Sequence, residues 1–557
     1  MGKVVAAELL DLLERYGVNH IICSPGSRNA ALLVEAEAHP SIRKHIIVDE
    51  RTAAFIALGI ATICQAPVAL ICTSGSALLN YAPAVAEAYY QGIPLIVISA
   101  DRPSEWIDQD DSQTIRQMGP LDNFVKGSYD LNGDSASGDE IWYANRLINE
   151  GLQNALTSKK GPVQFNIHLN GKVGAPLLNV HARFISKIIP QQHISLETIK
   201  ELANFAKDLR ILITVGFMSP DAKMQKAFTI LHSLPNVVIL AETVSNLHLP
   251  RECYVIDKVL FNIDEIKEKL LQPDLVISVG GALISRKLKE YIRRCDILAH
   301  WTIGHSHNII DCFKSITTRI EADASSFLMA FSRILKRRQN VSQSLCDFKN
   351  EWNIAREETF VNFKSIVWSD LKAMYMILNK LPRETNLFLS NGTAVRYGQI
   401  IPYKVTHGTY SNRGVSGIEG CTSTAIGCSM AYERLTCLIT GDMSFSYDLG
   451  GLASGMANRN LVIIVLDNGG GDIFRFINAT KELEIREKYL SVERKIPVRQ
   501  LAEAYGFEYR YADSEKDLKT QLITLFQPTT LPKILHVVTK KSKNNTSILR
   551  NYLTTKL

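Results

Sequence analysis

The sequence lacks any apolar run long enough to cross a membrane. Its longest runs, such as LVIIVL and PLIVISA, fall far short of the ~20 residues that a membrane-spanning helix needs. The N-terminal segment MGKVVAAELLDLLERYG alternates apolar and charged residues at helical spacing, unlike the continuous apolar stretch of a secretion signal. We therefore expect a cytoplasmic protein with no membrane partner.

The spacing of the cysteines and the distribution of charge argue against three further classes of protein: disulfide-rich, zinc-binding and nucleic-acid-binding. The ten cysteines include no CxxC pair, so neither a disulfide framework nor a zinc site is indicated. The net charge of +6 is small for 557 residues, and the basic clusters RILKRR and KKSKNN contain no interleaved aromatic residues. We expect no nucleic-acid partner.

Short Val- and Ile-rich runs alternate with helical segments along most of the chain. APVALICTS, DLVISVGG and LVIIVLDN are examples. This alternation predicts an α/β fold with doubly wound parallel sheets. A loop-like stretch around 175–200 and a charged helical stretch around 335–365 divide the chain into domains 1–180, 181–345 and 346–557. The middle domain lacks GxGxxG, so its strand–glycine turn–helix pattern predicts no bound FAD or NAD.

The two ends of the chain look like copies of one βαβ unit. Residues 68–101 can be laid without a gap on the segment ending at Asn468, at an offset of 367 residues. With one residue of slack, Gly59 falls on Gly427 and Glu50 lies opposite Ile418. The pattern indicates two diverged halves of one site. A chance match of two apolar βαβ segments is the alternative.

Two polar side chains end apolar, strand-like runs in the C-terminal third. Asp442 closes TCLITGD, and Asn468 closes LVIIVLDN just before a glycine-rich turn. Carboxylate, amide and backbone oxygens suit Mg²⁺ or Mn²⁺, so we predict Asp442, Asn468 and the carbonyl of Gly470 as metal ligands. Gly441 and Ser444 would then contact a diphosphate at a helix N-terminus. Each motif alone is also an ordinary strand-end turn.

A further acid, Glu50, lies in the apolar stretch HIIVDERTAAFIALGIA. A carboxyl group that hydrogen-bonds N1′ of an aminopyrimidine favours the tautomer that removes the C2 proton of thiamine. A diphosphate-holding metal site together with such an acid predicts thiamine diphosphate as the cofactor. The alternative is helix capping, because Asp49 and Glu50 precede a helix.

Ile418 is a bulky apolar residue among the glycines of SNRGVSGIEG. A side chain at this position could lie under the cofactor and force its two rings into the bent form that brings the imino nitrogen to C2. An ordinary core isoleucine is the alternative. Its correspondence with Glu50 across the two copies favours the cofactor role.

Five segments carry a resemblance to a known family. They are SPGSRNAAL at 24–32, VDERTAAFIALGIA at 48–61, SADRP at 99–103, SNRGVSGIEG at 411–420 and NGGGDIF at 468–474. They resemble the thiamine diphosphate enzyme superfamily and, within it, a transferase family of menaquinone biosynthesis. The resemblance implies pyrimidine-binding, middle and diphosphate-binding domains in that order. It also implies a homodimer or homotetramer, with the N-terminal domain of one copy facing the C-terminal domain of another.

The implied reaction is a decarboxylating carboligation. 2-Oxoglutarate loses CO₂, and the remaining unit adds to isochorismate in a 1,4-addition. Both substrates carry carboxylates, which arginine and lysine bind well. The family's substrate-binding positions match Ser27, Arg28, Arg102, Gln113, Arg286, Lys287, Arg396 and Arg413, and Phe474 matches an apolar wall beside the cofactor. Its catalytic positions match Glu50, Gln113, Arg396, Arg413 and Ile418.

Some positions depart from the family's pattern. Arg286 and Lys287 stand in the reverse of the expected order, so their separate roles stay open. Gly392 replaces an expected serine, with Thr393 beside it as a substitute, and Ser112 replaces an asparagine.

Two other functions compete with this one. The first is another thiamine enzyme. A 2-oxo acid decarboxylase commonly uses a histidine pair near the cofactor, and the sequence has no adjacent pair. An acetohydroxyacid synthase usually carries FAD. A non-catalytic α/β protein that binds a nucleotide or another ligand is the second.

Overall fold

A computed structural model describes residues 4–135, 137–157, 159–178, 180–188, 194–306, 308–338, 342–359, 363–401, 407–477, 479–492, 495–539 and 544–555. These residues form three parallel sheets with helices between the strands. The predicted α/β class with three parallel-sheet domains is confirmed. No helix in the described ranges is both long and apolar enough to cross a membrane.

The first sheet contains six parallel strands in the order β2-β1-β3-β4-β6-β5. Its strands are β1 (His20–Cys23), β2 (Arg43–Ile46), β3 (Val68–Cys72), β4 (Leu95–Asp101), β5 (Ser128–Asn132) and β6 (Val163–His168). Its helices are α1 (Val4–Arg15), α2 (Ala30–Glu37), α3 (Glu50–Cys64), α4 (Ala77–Asn80), α5 (Ala82–Gln91) and α6 (Gly138–Leu156). Strands β1, β3 and β4 are buried along their whole length, as expected for a parallel sheet covered on both faces.

The middle sheet has five parallel strands in the order β11-β10-β9-β7-β8. They are β7 (Ile211–Val215), β8 (Val237–Ala241), β9 (Leu275–Val279), β10 (Ala299–Ile303) and β11 (Thr318–Ile320). The helices are α7 (Leu196–Ala206), α8 (Ala222–His232), α9 (Asp257–Asn262), α10 (Glu265–Leu270), α11 (Arg286–Ile292), α12 (Ala324–Arg338) and α13 (Gln343–Glu357). Helix α13 crosses the predicted boundary at 345, and its Phe348 and Trp352 pack in the middle domain's core. The domain boundaries stay predictions.

The third sheet has six parallel strands in the order β13-β12-β14-β15-β17-β16. They are β12 (Asn386–Leu389), β13 (Gly408–Tyr410), β14 (Thr436–Gly441), β15 (Leu461–Asp467), β16 (Glu508–Ala512) and β17 (Lys533–Val538). The helices are α14 (Asp370–Leu378), α15 (Thr393–Ile400), α16 (Cys421–Met430), α17 (Asp442–Tyr447), α18 (Gly450–Ala453), α19 (Ile473–Phe476), α20 (Arg486–Tyr489), α21 (Val498–Ala504), α22 (Glu515–Gln521) and α23 (Asn544–Thr554).

The first and third sheets repeat one design, as the internal repeat predicts. Their strand orders are the same when β1–β6 are matched in sequence to β12–β17. The corresponding helices α3 and α16 pack against each other and share one hydrophobic core. A Cβ atom added to Gly59 would lie 2.1 Å from the Thr424 carbonyl oxygen, and one added to Gly427 would lie 2.1 Å from that of Ile56. The two glycines therefore allow backbone contact between the first and last domains.

Replacing Gly427 with alanine tests this contact. The added methyl group would overlap the Ile56 carbonyl, so α3 and α16 must move apart. We expect Gly427→Ala to destabilise the protein by about 1–3 kcal/mol, as overpacking of a core usually does. Thermal unfolding measures this as a lower midpoint.

Gly138→Ala is the matched control. Gly138 is the first residue of α6, and a Cβ atom there meets open space. Equal midpoints for the two variants would contradict the close approach of the helices.

Candidate functional site

Asp442 and Asn468 follow two neighbouring strands of the third sheet. Strands β14 and β15 are parallel and paired, with Gly441 opposite Leu466. Asp442 comes directly after β14 and begins α17, and Asn468 comes directly after β15. Because the carboxyl ends of parallel strands lie at one sheet edge, the two side chains share that edge, where α/β folds bind their ligands.

The oxygens at this edge fit a hard cation. Asp442 Oδ2 and Asn468 Oδ1 are both buried and have no hydrogen-bond partner among the described residues. Asn468 Nδ2 donates to Asp370 Oδ2 at 2.8 Å, which fixes the amide so that Oδ1 is left to accept. Buried oxygens without partners are costly unless something binds them. One carboxylate and one amide oxygen, beside a glycine turn, form a set that suits Mg²⁺ or Mn²⁺.

The glycine turn after Asn468 and the environment of the Asp442 carboxylate also fit a bound cation. Gly469, Gly470 and Gly471 all have positive φ angles, of 85°, 114° and 33°, which residues with a Cβ atom rarely adopt. Asp442 Oδ1 accepts a hydrogen bond from the backbone amide of Met443 at 2.7 Å, which leaves Oδ2 as the free oxygen within the described part of the chain. Burial, followed by the charge of Asp467, raises the pKa of Asp442 to about 7.

Ile418 lies beside the same helix. Ser444, in α17, donates its hydroxyl hydrogen bond to the Ile418 carbonyl at 2.7 Å. Ser444 is buried and Ile418 is half-buried. The loop before Ile418 is held from two sides: Asn391 donates to the carbonyl of Gly417, and Glu87 accepts from the amides that follow Arg413. Glu87 belongs to α5, so the first domain positions this loop of the third.

Arg396 and Arg413 come together at the ends of the neighbouring strands β12 and β13. Arg396 donates to the carbonyl of Gly392, and Arg413 donates to Asn391 Oδ1 at 3.0 Å. Burial, followed by the charge of Arg413, lowers the pKa of Arg396. Gly392 has a φ angle of 96°, in the region that disfavours the serine expected there.

Two acids of the middle domain, the buried Glu242 and the half-buried Asp257, act on these bases. Glu242, after β8, is fully buried and accepts from the amides of Ile284 and Ser285 at 2.6–2.7 Å. Burial raises the pKa of Glu242 to about 7, and the charge of Arg413 opposes that shift. Asp257 hydrogen-bonds the Ser285 hydroxyl, and its pKa is raised by burial and lowered in part by Arg396 and Lys287.

The predicted pair Arg286 and Lys287 begins α11, which Ser285 caps. Arg286 is largely exposed and forms an ion pair with Glu290 at 2.9 Å. The Lys287 ammonium lies 4.7 Å from the centre of the Phe261 ring and 3.8 Å from Glu290 Oε2. Both residues pair with Glu290, so their separate roles stay predictions.

Glu50 is the first residue of α3, but it does not cap the helix. Asp49 does, because its carboxylate accepts from the amides of Arg51 and Thr52. Glu50 is half-buried, and its carboxylate has no hydrogen bond or ion pair within the described part of the chain. Burial and, next, the Glu50 charge raise the pKa of the buried Cys72 thiol. Glu50 therefore makes no capping hydrogen bond, although it lies in the first turn of α3.

The remaining predicted residues of the first domain lie at the carboxyl ends of β1 and β4. Arg28 donates to the Leu169 carbonyl at 2.8 Å, and Arg102 forms an ion pair with Asp111 at 2.7 Å. Gln113 is exposed with a φ angle of 55°, and Ser27 is exposed. Arg28 and Arg102 are close, since burial and then the Arg102 charge lower the pKa of Arg28. Phe474 is half-buried in α19 after the glycine turn, and its amide donates to Gly471.

Three thiamine pyrophosphate enzyme family models match the chain in succession. They are the N-terminal TPP binding domain at residues 3–119, the middle domain at 180–389 and the C-terminal TPP binding domain at 392–537. A 2-succinyl-5-enolpyruvyl-6-hydroxy-3-cyclohexene-1-carboxylate synthase from Porphyromonas gingivalis is 39% identical over 560 residues, covering 98% of this chain and 96% of that protein. The chain belongs to this synthase family.

Other members and a solved structure agree. Synthases of the same name from Christiangramia forsetii and Bacteroides thetaiotaomicron are 35% and 34% identical, covering 98% of this chain and 98% and 97% of their own. The crystal structure of benzoylformate decarboxylase from Polynucleobacter necessarius matches with a TM-score of 0.71 at 15% identity, over 97% of this chain and 99% of that one. That likeness shows the fold alone.

In this synthase-family chain, a histidine that no sequence motif predicted lies beside Arg102. His168, at the end of β6, hydrogen-bonds the Arg102 carbonyl through Nδ1 and Asp130 through Nε2. Burial opposes its positive charge, but these hydrogen bonds outweigh burial and raise the pKa of His168 to about 9. A polar residue at the end of an apolar strand, PVQFNIH, was the available signal.

The raised pKa of His168 predicts a pH-dependent stability. A histidine that binds its proton more tightly when folded stabilises the protein fully below its unfolded pKa, ~6.5, and this contribution is lost as the pH rises through 9. In the wild type, this effect should lower the unfolding free energy by up to about 3 kcal/mol between pH 6 and pH 9.5. We expect His168→Gln to remove this decrease. Urea unfolding at the two pH values measures it.

Asp130→Asn should flatten the same profile, because it removes the main acceptor of the His168 proton. The double variant should then add little to either single change, since the two residues act as one unit. Independent, additive effects would show that the pair does not hold this proton.

Proposed function

We propose that the chain is a thiamine diphosphate-dependent transferase that joins 2-oxoglutarate, with loss of CO₂, to isochorismate by 1,4-addition. The product is 2-succinyl-5-enolpyruvyl-6-hydroxy-3-cyclohexene-1-carboxylate, the compound in the name of its relatives, and the reaction serves menaquinone biosynthesis. The pair of unpartnered buried oxygens on Asp442 and Asn468 carries the proposal, because it lies where the C-terminal TPP binding model matches. The cytoplasmic location stays a prediction.

The cofactor's metal and diphosphate belong at the end of β14 and β15. Asp442, Asn468 and Gly470 would hold Mg²⁺ or Mn²⁺, and Gly441 leaves room for a phosphate because a Cβ atom there meets nothing within 4 Å. Bound thiamine diphosphate supplies a stabilised carbanion equivalent for decarboxylation and addition. Ile418, fixed by Ser444, gives the cofactor an apolar support. Phe474, directly after the turn, gives it an apolar wall.

Glu50 holds a proton for the cofactor's pyrimidine ring. Its carboxylate is half-buried and has no partner among the described residues, which leaves it available to a ligand nitrogen. Glu87 and Asp49 in the same domain are instead used for structural hydrogen bonds. Glu50 is therefore the acid of this region that fits the role.

Basic and polar residues from all three domains bind the substrate carboxylates. Arg28, Arg102 and Gln113 come from the first domain, Lys287 with Arg286 from the middle one, and Arg396 with Arg413 from the third, while Ser27 adds a hydroxyl. The half-buried guanidinium groups of Arg396 and Arg413 are held by Gly392 and Asn391, so they are oriented before substrate arrives. Preoriented arginines favour planar carboxylates.

A direct assay tests this function. The protein, Mg²⁺, thiamine diphosphate, 2-oxoglutarate and isochorismate should together release CO₂ and form the adduct. Decarboxylation of 2-oxoglutarate without an adduct would show that the acceptor is wrong. A bound yellow flavin would favour an acetohydroxyacid synthase instead.

Glu50→Gln and Asp442→Asn should fail in different ways. We expect Glu50→Gln to lose about 10²–10⁴-fold in kcat and to retain Mg²⁺-dependent cofactor binding, since a glutamine cannot exchange the proton. We expect Asp442→Asn to lose Mg²⁺-dependent cofactor binding itself. Calorimetry with Mg²⁺ and thiamine diphosphate, alongside turnover, separates the two. A near-normal rate for Glu50→Gln would remove that residue from the reaction.

The site is shared between two copies of the chain in this proposal. Ile46 and Val48, just before Glu50, are 66% and 76% exposed, and Tyr447, which contacts Arg51, is 51% exposed. Large exposed apolar side chains grouped around an acid without a partner are typical of a protein–protein interface. We infer a homodimer at least, with Glu50 of one copy facing Asp442 of the other.

Mixing the two inactive variants tests sharing between copies. In a mixed dimer of Glu50→Gln and Asp442→Asn, one of the two sites would receive both intact residues. Random mixing after mild denaturation should restore about a quarter of the wild-type activity, because half of the dimers are mixed and each has one good site. Sites built within one chain would give no recovery.

A further inference from the structure

Arg102 is already paired with an acid of its own chain. Its guanidinium lies 2.7 Å from Asp111 Oδ2, and a second terminal nitrogen donates to the Ser112 carbonyl at 2.7 Å. The side chains of Arg102 and Asp111 are 20% and 30% exposed, so the pair is partly shielded from water. Both terminal nitrogens that would form a two-point contact with a carboxylate are thus in use.

Asp111 lies close to both arginines of this corner. Burial and then Arg102 lower the pKa of Arg28, whereas the charge of Asp111 acts in the opposite direction. Arg28 itself forms no ion pair within the described ranges and donates to the Leu169 carbonyl. Asp111, together with Asp134 and Asp101, therefore offsets part of the positive charge that these two predicted substrate-binding arginines contribute.

The loop that carries Asp111 is held mainly by side chains. Asp108, Asp110 and Gln113 have φ angles of 60°, 57° and 55°, which are unfavourable for residues with a Cβ atom. From 108 to 118, the structure describes no backbone–backbone hydrogen bond. The loop is held by the ion pair of Asp111 with Arg102, the ion pair of Asp108 with Arg116 and the hydrogen bonds of the buried Gln117. Such a segment rearranges at low free-energy cost when an anchor is replaced.

We propose that Asp111 is a specificity-determining residue that occupies Arg102 until a substrate carboxylate takes its place. The inference rests on the proposed function, in which Arg102 binds such a carboxylate. Asp111 then competes with every anionic ligand and weakens the binding of those with only one carboxylate in reach. When a substrate carboxylate displaces Asp111 from Arg102, the loop that carries Asp111 can move. Gln113 lies two residues later in this loop, so carboxylate binding at Arg102 also changes the position of Gln113.

Asp111→Asn tests the competition. Asparagine keeps the size of the side chain and removes its charge, so we expect the KM of at least one of the two carboxylate substrates to fall about three- to fivefold, the range for a partly exposed ion pair. If Asp111 instead holds Arg102 in the position that binds substrate, Asp111→Asn would raise the KM. That result would overturn the proposal.

Asp110→Asn is the matched control. It removes the same charge from the neighbouring position, where the exposed side chain does not reach Arg102 in the described structure. We expect its KM values to equal those of the wild type. A KM decrease shared by both variants would reflect net charge alone and would also overturn the proposal.

Calorimetric titration of 2-oxoglutarate and of isochorismate into the holoenzyme provides a readout independent of turnover. Asp111→Asn should bind one of them three- to fivefold more tightly than Asp110→Asn does. An inactive wild type would refute the proposed function, whereas equal affinities of the two variants, or no binding by either, would refute the role of Asp111.

Discussion

Contact between the backbones of α3 and α16 is the constraint on which the rest of the molecule depends. Gly59 and Gly427 let the two helices meet without side chains between them, and each helix follows the strand-end region that supplies half of the predicted site. Around this crossing, Glu87 binds the loop of Arg413, and Arg51 donates to the Tyr447 carbonyl. The first and third domains are therefore fixed relative to each other by main-chain geometry rather than by adaptable surface side chains.

The distribution of charge follows from that arrangement. Arg396 and Arg413 lose much of their hydration, and like charges lie close together, which is unfavourable without compensation. Glu242, which is buried, and Asp257, which is half-buried, supply negative charge from the middle domain. The middle domain, for which the sequence predicts no cofactor of its own, thus contributes to the site through electrostatics and through α11.

Much of the site was predictable because it follows from local rules. A polar residue at the end of a buried parallel strand must lie at the ligand-binding edge, which accounts for Asp442 and Asn468. The internal repeat predicted a common strand order, which the two outer sheets share. The pairing of Asn468 with Asp370 was beyond prediction, because 98 residues separate them in sequence and no pattern links them. The roles of the individual site residues stay predictions.

The sequence by itself determined the α/β class, the three parallel sheets and the strand ends that carry the polar side chains, since periodicity and strand-end chemistry are local properties. Only the tertiary structure decided that Asp49 rather than Glu50 caps α3, that His168 supports Arg102, and that Asp111 occupies its guanidinium. These outcomes depend on which of several equally suitable acids or bases comes within hydrogen-bond distance. Packing of distant segments sets that distance, and spacing along the chain does not encode it.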